Sequence, residues 1–144
     1  MSLYTDWSAA RARLITHITA AWAPAVLAQN GYEVFPVAAD LPFARIRTVG
    51  GADIQGGYTP TLDQAAVVFE ITGLWAKQAS TDAEDWLMQK AEDLRDDIAS
   101  DHHLNGNVTD CTVTSFELSS PDLDPQDDRW GVTLQVSCTI HYSR

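Results

Sequence analysis

Trp130-Gly131-Val132-Thr133-Leu134-Gln135-Val136-Ser137-Cys138-Thr139-Ile140-His141-Tyr142 decides how this chain folds. Trp130, Val132, Leu134, Val136, Cys138, Ile140 and Tyr142 occupy every second position, with Thr133, Gln135, Ser137, Thr139 and His141 between them. Successive side chains of a strand point to opposite faces. The period of two therefore predicts one long β-strand with an apolar face on a core and a polar face away from it. Its place as the last element leaves open whether it is a sheet edge, where pairing with another subunit would be available.

Working back from this strand, Ser119 to Asp128 carries Pro121, Pro125 and four aspartates and reads as a rigid acidic loop. Val108 to Leu118, rich in threonine and β-branched residues and preceded by Asn105-Gly106, reads as a fourth strand. Upstream, Leu87, Ala91, Leu94 and Ile98 recur at helical spacing and form one apolar stripe on a helix that ends near Asp101. Thr81-Asp82-Ala83-Glu84 matches a capping box at its start. Glu84, Asp85, Glu92, Asp93, Asp96 and Asp97 fall off the stripe and read as a solvated flank.

Ala65 to Thr72 alternates as a third strand, with Val67, Phe69 and Ile71 on one side. Gly50 to Asp63 holds four glycines and one proline without helical or strand period, and is expected to be a long loop. Its glycine pairs open no helix and no lysine follows them, which excludes a phosphate-binding fingerprint. Phe43 to Val49 reads as a second strand with Arg45 and Arg47 on one face and Ala44, Ile46 and Thr48 on the other. Tyr32 to Val37, broken by Pro36, reads as the first. An N-terminal helix capped by Thr5 or Asp6 carries Leu14, Ile18 and Trp22 on one face, and Pro24 kinks or ends it before the Asn30-Gly31 stop.

The predicted architecture is α+β: a mostly antiparallel sheet of about five strands with two main helices packed on one face, in the order αβββαββ. With 144 residues the chain suits a single domain spanning 1–144. Nine basic residues against twenty acidic ones leave a net charge of -11, which opposes adhesion to phosphate backbones and to anionic membranes. No run reaches the ~20 apolar residues of a membrane span. Leu14 to Ala28 has some signal-peptide texture, but Thr16, His17 and Thr19 interrupt it, and an amphipathic helix is expected there.

Catalytic chemistry finds little footing. Asp101-His102-His103, with Asp97 a turn earlier, is the one metal-like cluster, and adjacent histidines on a helix point apart; favourable placement at a helix C-terminus accounts for them. His17 and His141 lie on separate elements, and no serine or cysteine sits in an activating motif. Asp122, Asp124, Asp127 and Asp128 lack calcium-loop spacing. Cys111 and Cys138 read as buried free thiols of a reducing compartment, on strands expected to pair, with their adjacency left open. No cofactor and no metal is expected, and the chain reads as a non-enzyme. Trp75, before a polar turn, and Trp86, beside the Leu87 stripe, read either as core or as anchors of a protein interface.

Strand Ala65 to Thr72 running into Gly73, the capped helix Ala83 to Asp101, the stretch His103-Leu104-Asn105-Gly106-Asn107-Val108 and the closing alternating strand together resemble the tail terminator (tail completion) proteins of long-tailed bacteriophages and related phage-tail-like particles. The resemblance covers most of the chain through the order and texture of its elements. It implies a structural virion protein, made in the host cytoplasm. Such a protein assembles as a ring, commonly a hexamer, on the head-proximal end of the tail tube, stops tube polymerisation and offers the head-joining surface. Implied partners are further copies of itself, the major tail tube protein and a head–tail connector or neck protein, with DNA passing the lumen without specific binding. The same texture is shared by neck or connector subunits, and a small-molecule-binding α+β domain is the alternative from another class. The candidate subunit-interface residues are Arg45 and Arg47 on the cationic strand face, Ile54 and Tyr58 in the glycine-rich segment where the family's long loop would fall, and Trp75 and Trp86.

Overall fold

The computed structural model describes residues 2–28, 41–59, 62–76, 82–119 and 129–143, with the backbone alone for 53–59, 62–63 and 142–143. Its order is α1 (Leu3–Trp22), β1 (Val26–Ala28), β2 (Phe43–Thr59), β3 (Leu62–Ala76), α2 (Ala83–Ala99), β4 (Asp110–Ser119) and β5 (Arg129–Ser143). The α+β class and the αβββαββ order are as the sequence predicts. The expected strand over Tyr32 to Val37, the Asn30-Gly31 stop, and residues 120–128 of the acidic loop lie outside the described residues.

Ser2, not Thr5 or Asp6, caps α1: its side chain accepts a hydrogen bond from the Thr5 amide, so the helix begins three residues earlier than expected. Asp6 falls in the first turn, where the helix dipole favours a carboxylate. At the other end Ala23 adopts a left-handed conformation and donates its amide to the Thr19 carbonyl, and Pro24 follows. Ala10, Leu14, Ile18 and Trp22 form the buried stripe of this helix. In α2 the cap is Asp82, whose carboxylate accepts the Asp85 amide; Thr81 lies outside the described residues. Leu87, Ala91, Leu94 and Ile98 are all buried, as the spacing predicts.

The sheet order is β1-β2-β3-β5-β4. β5 is therefore interior, bonded to β3 on one side and β4 on the other, which answers whether the last strand is an edge. The β3–β5 register runs from Leu62↔Ser143 to Ala76↔Arg129 without a shift. Trp130, Val132, Leu134, Val136, Cys138 and Ile140 of β5 and Val67, Phe69, Ile71 and Trp75 of β3 turn one apolar face toward the helices. β2–β3, β3–β5 and β4–β5 are antiparallel and β1 pairs parallel with β2, so the sheet is mostly antiparallel, as the sequence predicts.

The largest correction concerns Gly50 to Asp63. Where a loop is expected, β2 and β3 continue their ladder through Gly50↔Val68, Gly51↔Val67, Ala52↔Ala66, Asp53↔Ala65 and Ile54↔Gln64 to Thr59↔Leu62. A bulge at Val49 precedes this stretch, because Thr48 faces Phe69 and Gly50 already faces Val68. Glycine here marks close approach: the Ala66 carbonyl oxygen occupies the space a Cβ on Gly51 would need.

Gly73 has a similar role in the core, since a Cβ there would come within 2.5 Å of Trp75 Cη2 and 2.7 Å of Trp22 Cζ3. Rigid indoles on both sides leave a methyl nowhere to go. Gly73→Ala is expected to lower stability by about 1–3 kcal/mol, the usual scale of overpacking, and to perturb tryptophan fluorescence; unchanged denaturation and emission would show that the two rings can separate.

Candidate functional site

Trp22 of α1, Trp75 of β3, Trp86 of α2 and Trp130 of β5 stack edge to face in a continuous row, with centroid separations of 5.1, 5.3 and 5.6 Å. The Trp22 indole N–H donates to the Lys90 carbonyl at 2.9 Å, and the Lys90 ammonium lies 5.1 Å from the centre of the Trp86 ring. Trp75 is only 4% exposed within this row. That burial makes it core and leaves it no surface to offer a partner. Trp86 is half-buried at the rim of the same row.

Arg45 and Arg47 lie on the face of β2 turned away from the helices, with Ala44 and Ile46 buried on the other, as the alternation predicts. Arg47 Nε donates to Glu70 Oε1 at 2.9 Å across the Arg47↔Glu70 pair. Arg45 stands opposite Thr72, whose hydroxyl is 3.2 Å from that of Thr133 on β5. Part of the expected cationic character is thus neutralised within the chain. Ile54 and Tyr58 belong to the distal part of β2, with Ile54 opposite Gln64, and their side chains lie outside the described residues.

Beyond the predicted residues, two surface features involve exposed apolar side chains. An apolar groove of about 600 Å³ runs between the start of α1 and the base of the distal hairpin, lined by Leu3, Tyr4, Trp7, Ala52, Ala65 and Val67 among others. Trp7 is fixed at its edge by a 2.8 Å bond from its indole N–H to Thr48 Oγ1, while Tyr4 is 72% exposed. On the same helix-covered face, at the β4 end of the sheet, Phe116 of β4 and Met88 of α2 are 48% and 42% exposed and flank a smaller cavity with Val113 and Leu134. β4 has β5 as its single strand partner among the described residues.

A polar cluster that sequence reasoning missed ties the two helices together. His17, 7% exposed on α1, places Nδ1 2.7 Å from Asp97 Oδ2 and Nε2 2.8 Å from Asp101 Oδ2. Arg13 Nε donates to the same Asp101 oxygen at 2.7 Å, and the Asn105 amide donates to Asp101 Oδ1 at 2.9 Å. The signal lay in matched spacing: Arg13 and His17 are four apart on one helix, and Asp97 and Asp101 are four apart at the end of the other. His102 and His103 serve locally, with His103 Nδ1 2.7 Å from the Thr109 carbonyl oxygen and His102 Nδ1 3.6 Å from Asp110. Among the described residues no group of three or more His, Cys, Asp or Glu side chains is arranged to hold a metal ion. Nor is any described helix long and apolar enough to cross a membrane. The sequence matches no protein-family model and no curated protein.

Burial pushes the Asp101 carboxyl up, but the hydrogen bonds from Arg13, the Asn105 amide and His17, with the guanidinium charge, outweigh it and hold the group well below the usual carboxylate range. A carboxylate lowered in the folded state contributes stability that is complete above its unfolded pKa of about 3.9 and is lost as pH falls below it. Asp101→Asn is expected to cost roughly 1–3 kcal/mol at neutral pH, the scale for a broken buried polar contact, with the gap to wild type narrowing below about pH 4. Urea midpoints across that range measure it. A gap that stays constant with pH would contradict the assignment.

Proposed function

We propose that this chain is the repeating subunit of a homo-oligomeric ring: a tail terminator that closes the head-proximal end of a phage tail tube and offers the surface to which the head joins. The observation that carries this proposal is a pair of unlike exposed apolar patches on one domain: Tyr4 beside the groove between α1 and the strands β2 and β3, and Phe116 with Met88 beside β4, whose single strand partner among the described residues is β5. A closed ring of identical subunits needs two unlike patches that meet head to tail, and these two supply them.

Arg45 on the β2 face would then meet a neighbour of strongly acidic character, since each copy carries -11. The same charge suits a lumen through which DNA slides without adhering.

Size exclusion with light scattering and negative-stain microscopy of the purified protein should show rings whose population rises with concentration. Phe116→Asp and Arg45→Glu should each shift the population toward monomer while circular dichroism stays unchanged. A protein that stays monomeric at high concentration and fails to cap purified tail tubes would sink the proposal.

A further inference from the structure

Cys111 and Cys138 are not merely two buried thiols. They stand directly opposite each other across the β4–β5 ladder, and their sulfurs are 3.5 Å apart, with the Cys138 S–H donating to Cys111 Sγ. Directly opposed residues of an antiparallel pair have Cα atoms ~4.5–5.5 Å apart, inside the ~4.4–6.8 Å range that a disulfide spans. The two are also placed differently. Cys138 is fully buried, whereas Cys111, 4% exposed, lines a cavity of about 240 Å³ together with Arg95, Ile98, Ala99, His102, Asp110, Thr112 and Val113. Cys111 borders this opening, and Cys138 lies behind it across the ladder.

We infer that Cys111 and Cys138 form a peroxide-responsive pair in which Cys111 is oxidised first through this cavity and Cys138 resolves it to a cross-strand disulfide. The Cys111 sulfur attacks the outer oxygen of a hydroperoxide as its proton is lost, the O–O bond breaks, and the remaining oxygen leaves as water or an alcohol once protonated, leaving a sulfenic acid. The Cys138 sulfur then attacks the Cys111 sulfur; the S–O bond breaks, the Cys138 proton goes to the departing oxygen, and water leaves. In sum two thiols and one hydroperoxide give one disulfide, one alcohol or water, and one further water.

The order of events follows from the surroundings. The hydrogen bond to Cys111, and burial after it, push the Cys138 thiol far up, so it stays protonated until its neighbour has reacted. Arg95 and His102 border the cavity, with Asp110 opposing them, so a small neutral oxidant such as hydrogen peroxide enters without an electrostatic barrier of one sign. The disulfide would tie β4 covalently to β5, its one strand partner among the described residues. It is thus a latch for an edge strand, and it stands independently of the ring proposal.

The test exposes the folded wild-type protein to hydrogen peroxide, quenches it, unfolds it, alkylates it and measures intact mass and cross-linked peptides. Both thiols should disappear together, with the mass of two hydrogens lost and a Cys111–Cys138 peptide within one chain. The melting temperature should rise by roughly 5–10 °C, the shift expected of a disulfide closing a loop of this kind in a domain of this size. Dimedone should trap a sulfenic acid on Cys111 in Cys138→Ala and leave Cys138 unmodified in Cys111→Ala. Retention of both alkylatable thiols in the folded protein, at peroxide levels that consume them in the unfolded chain, would overturn the inference even if neither variant folds. So would a dimedone adduct on Cys138, or a disulfide found between chains only.

Discussion

The structure depends on the pairing of β3 with β5. Fifteen-residue strands meet in an unshifted register, and because side chains alternate, that register alone decides that Val67, Phe69 and Ile71 share a face with Val132, Leu134 and Val136. A slip of one residue would send one strand's apolar set to the polar face, where Glu70, Thr72, Thr133 and Gln135 now lie. Both helices take their positions from this surface: the stripes of α1 and α2 cover the apolar face that the two strands create. β2 and β4 are then added on either side.

Two unlike fastenings hold the helices to one another and to the sheet. At the end of α1, Trp22 enters the row of indoles and bonds the Lys90 carbonyl. Earlier along the same helix, His17 and Arg13 engage the carboxylates at the end of α2. The first fastening is mainly aromatic packing, whereas the second is built on carboxylates and weakens when Asp101 is protonated. Asp101 also accepts the Asn105 amide in the turn leading to β4, so one carboxylate links both helices to the approach of an edge strand.

What could be read from the residues was whatever their local period expresses. The alternation of β5, the stripe of α2 and the separation of Arg45 and Arg47 from Ala44 and Ile46 all follow from neighbours a few positions apart. The distal hairpin escaped because a ladder is made of backbone bonds, and Gly50, Gly51, Gly56 and Gly57 carry no side chains to display a period. Strand order escaped for a different reason: that β5 enters between β3 and β4 is a fact about pairing over long separations, to which no local pattern refers. Among the proposed interface residues, Trp75 was ambiguous because an indole suits a core and a partner surface equally, and only its place between Trp22 and Trp86 decides.

The interior position of β5 also bears on how the chain acquires its structure. β5 follows in sequence every strand it joins, so during synthesis α1, β1, β2, β3, α2 and β4 all leave the ribosome before the strand that unites them. Until then β3 and β4 each present an unpaired side, and the apolar face of β3 lacks half of its sheet. Closing the β3–β5 contact spans more than fifty residues of intervening chain, an entropic cost that must be met before the burial it permits is gained. The nascent chain therefore passes through an interval in which its most adhesive surfaces are open, and ends it only when the last strand slots into the middle of the sheet.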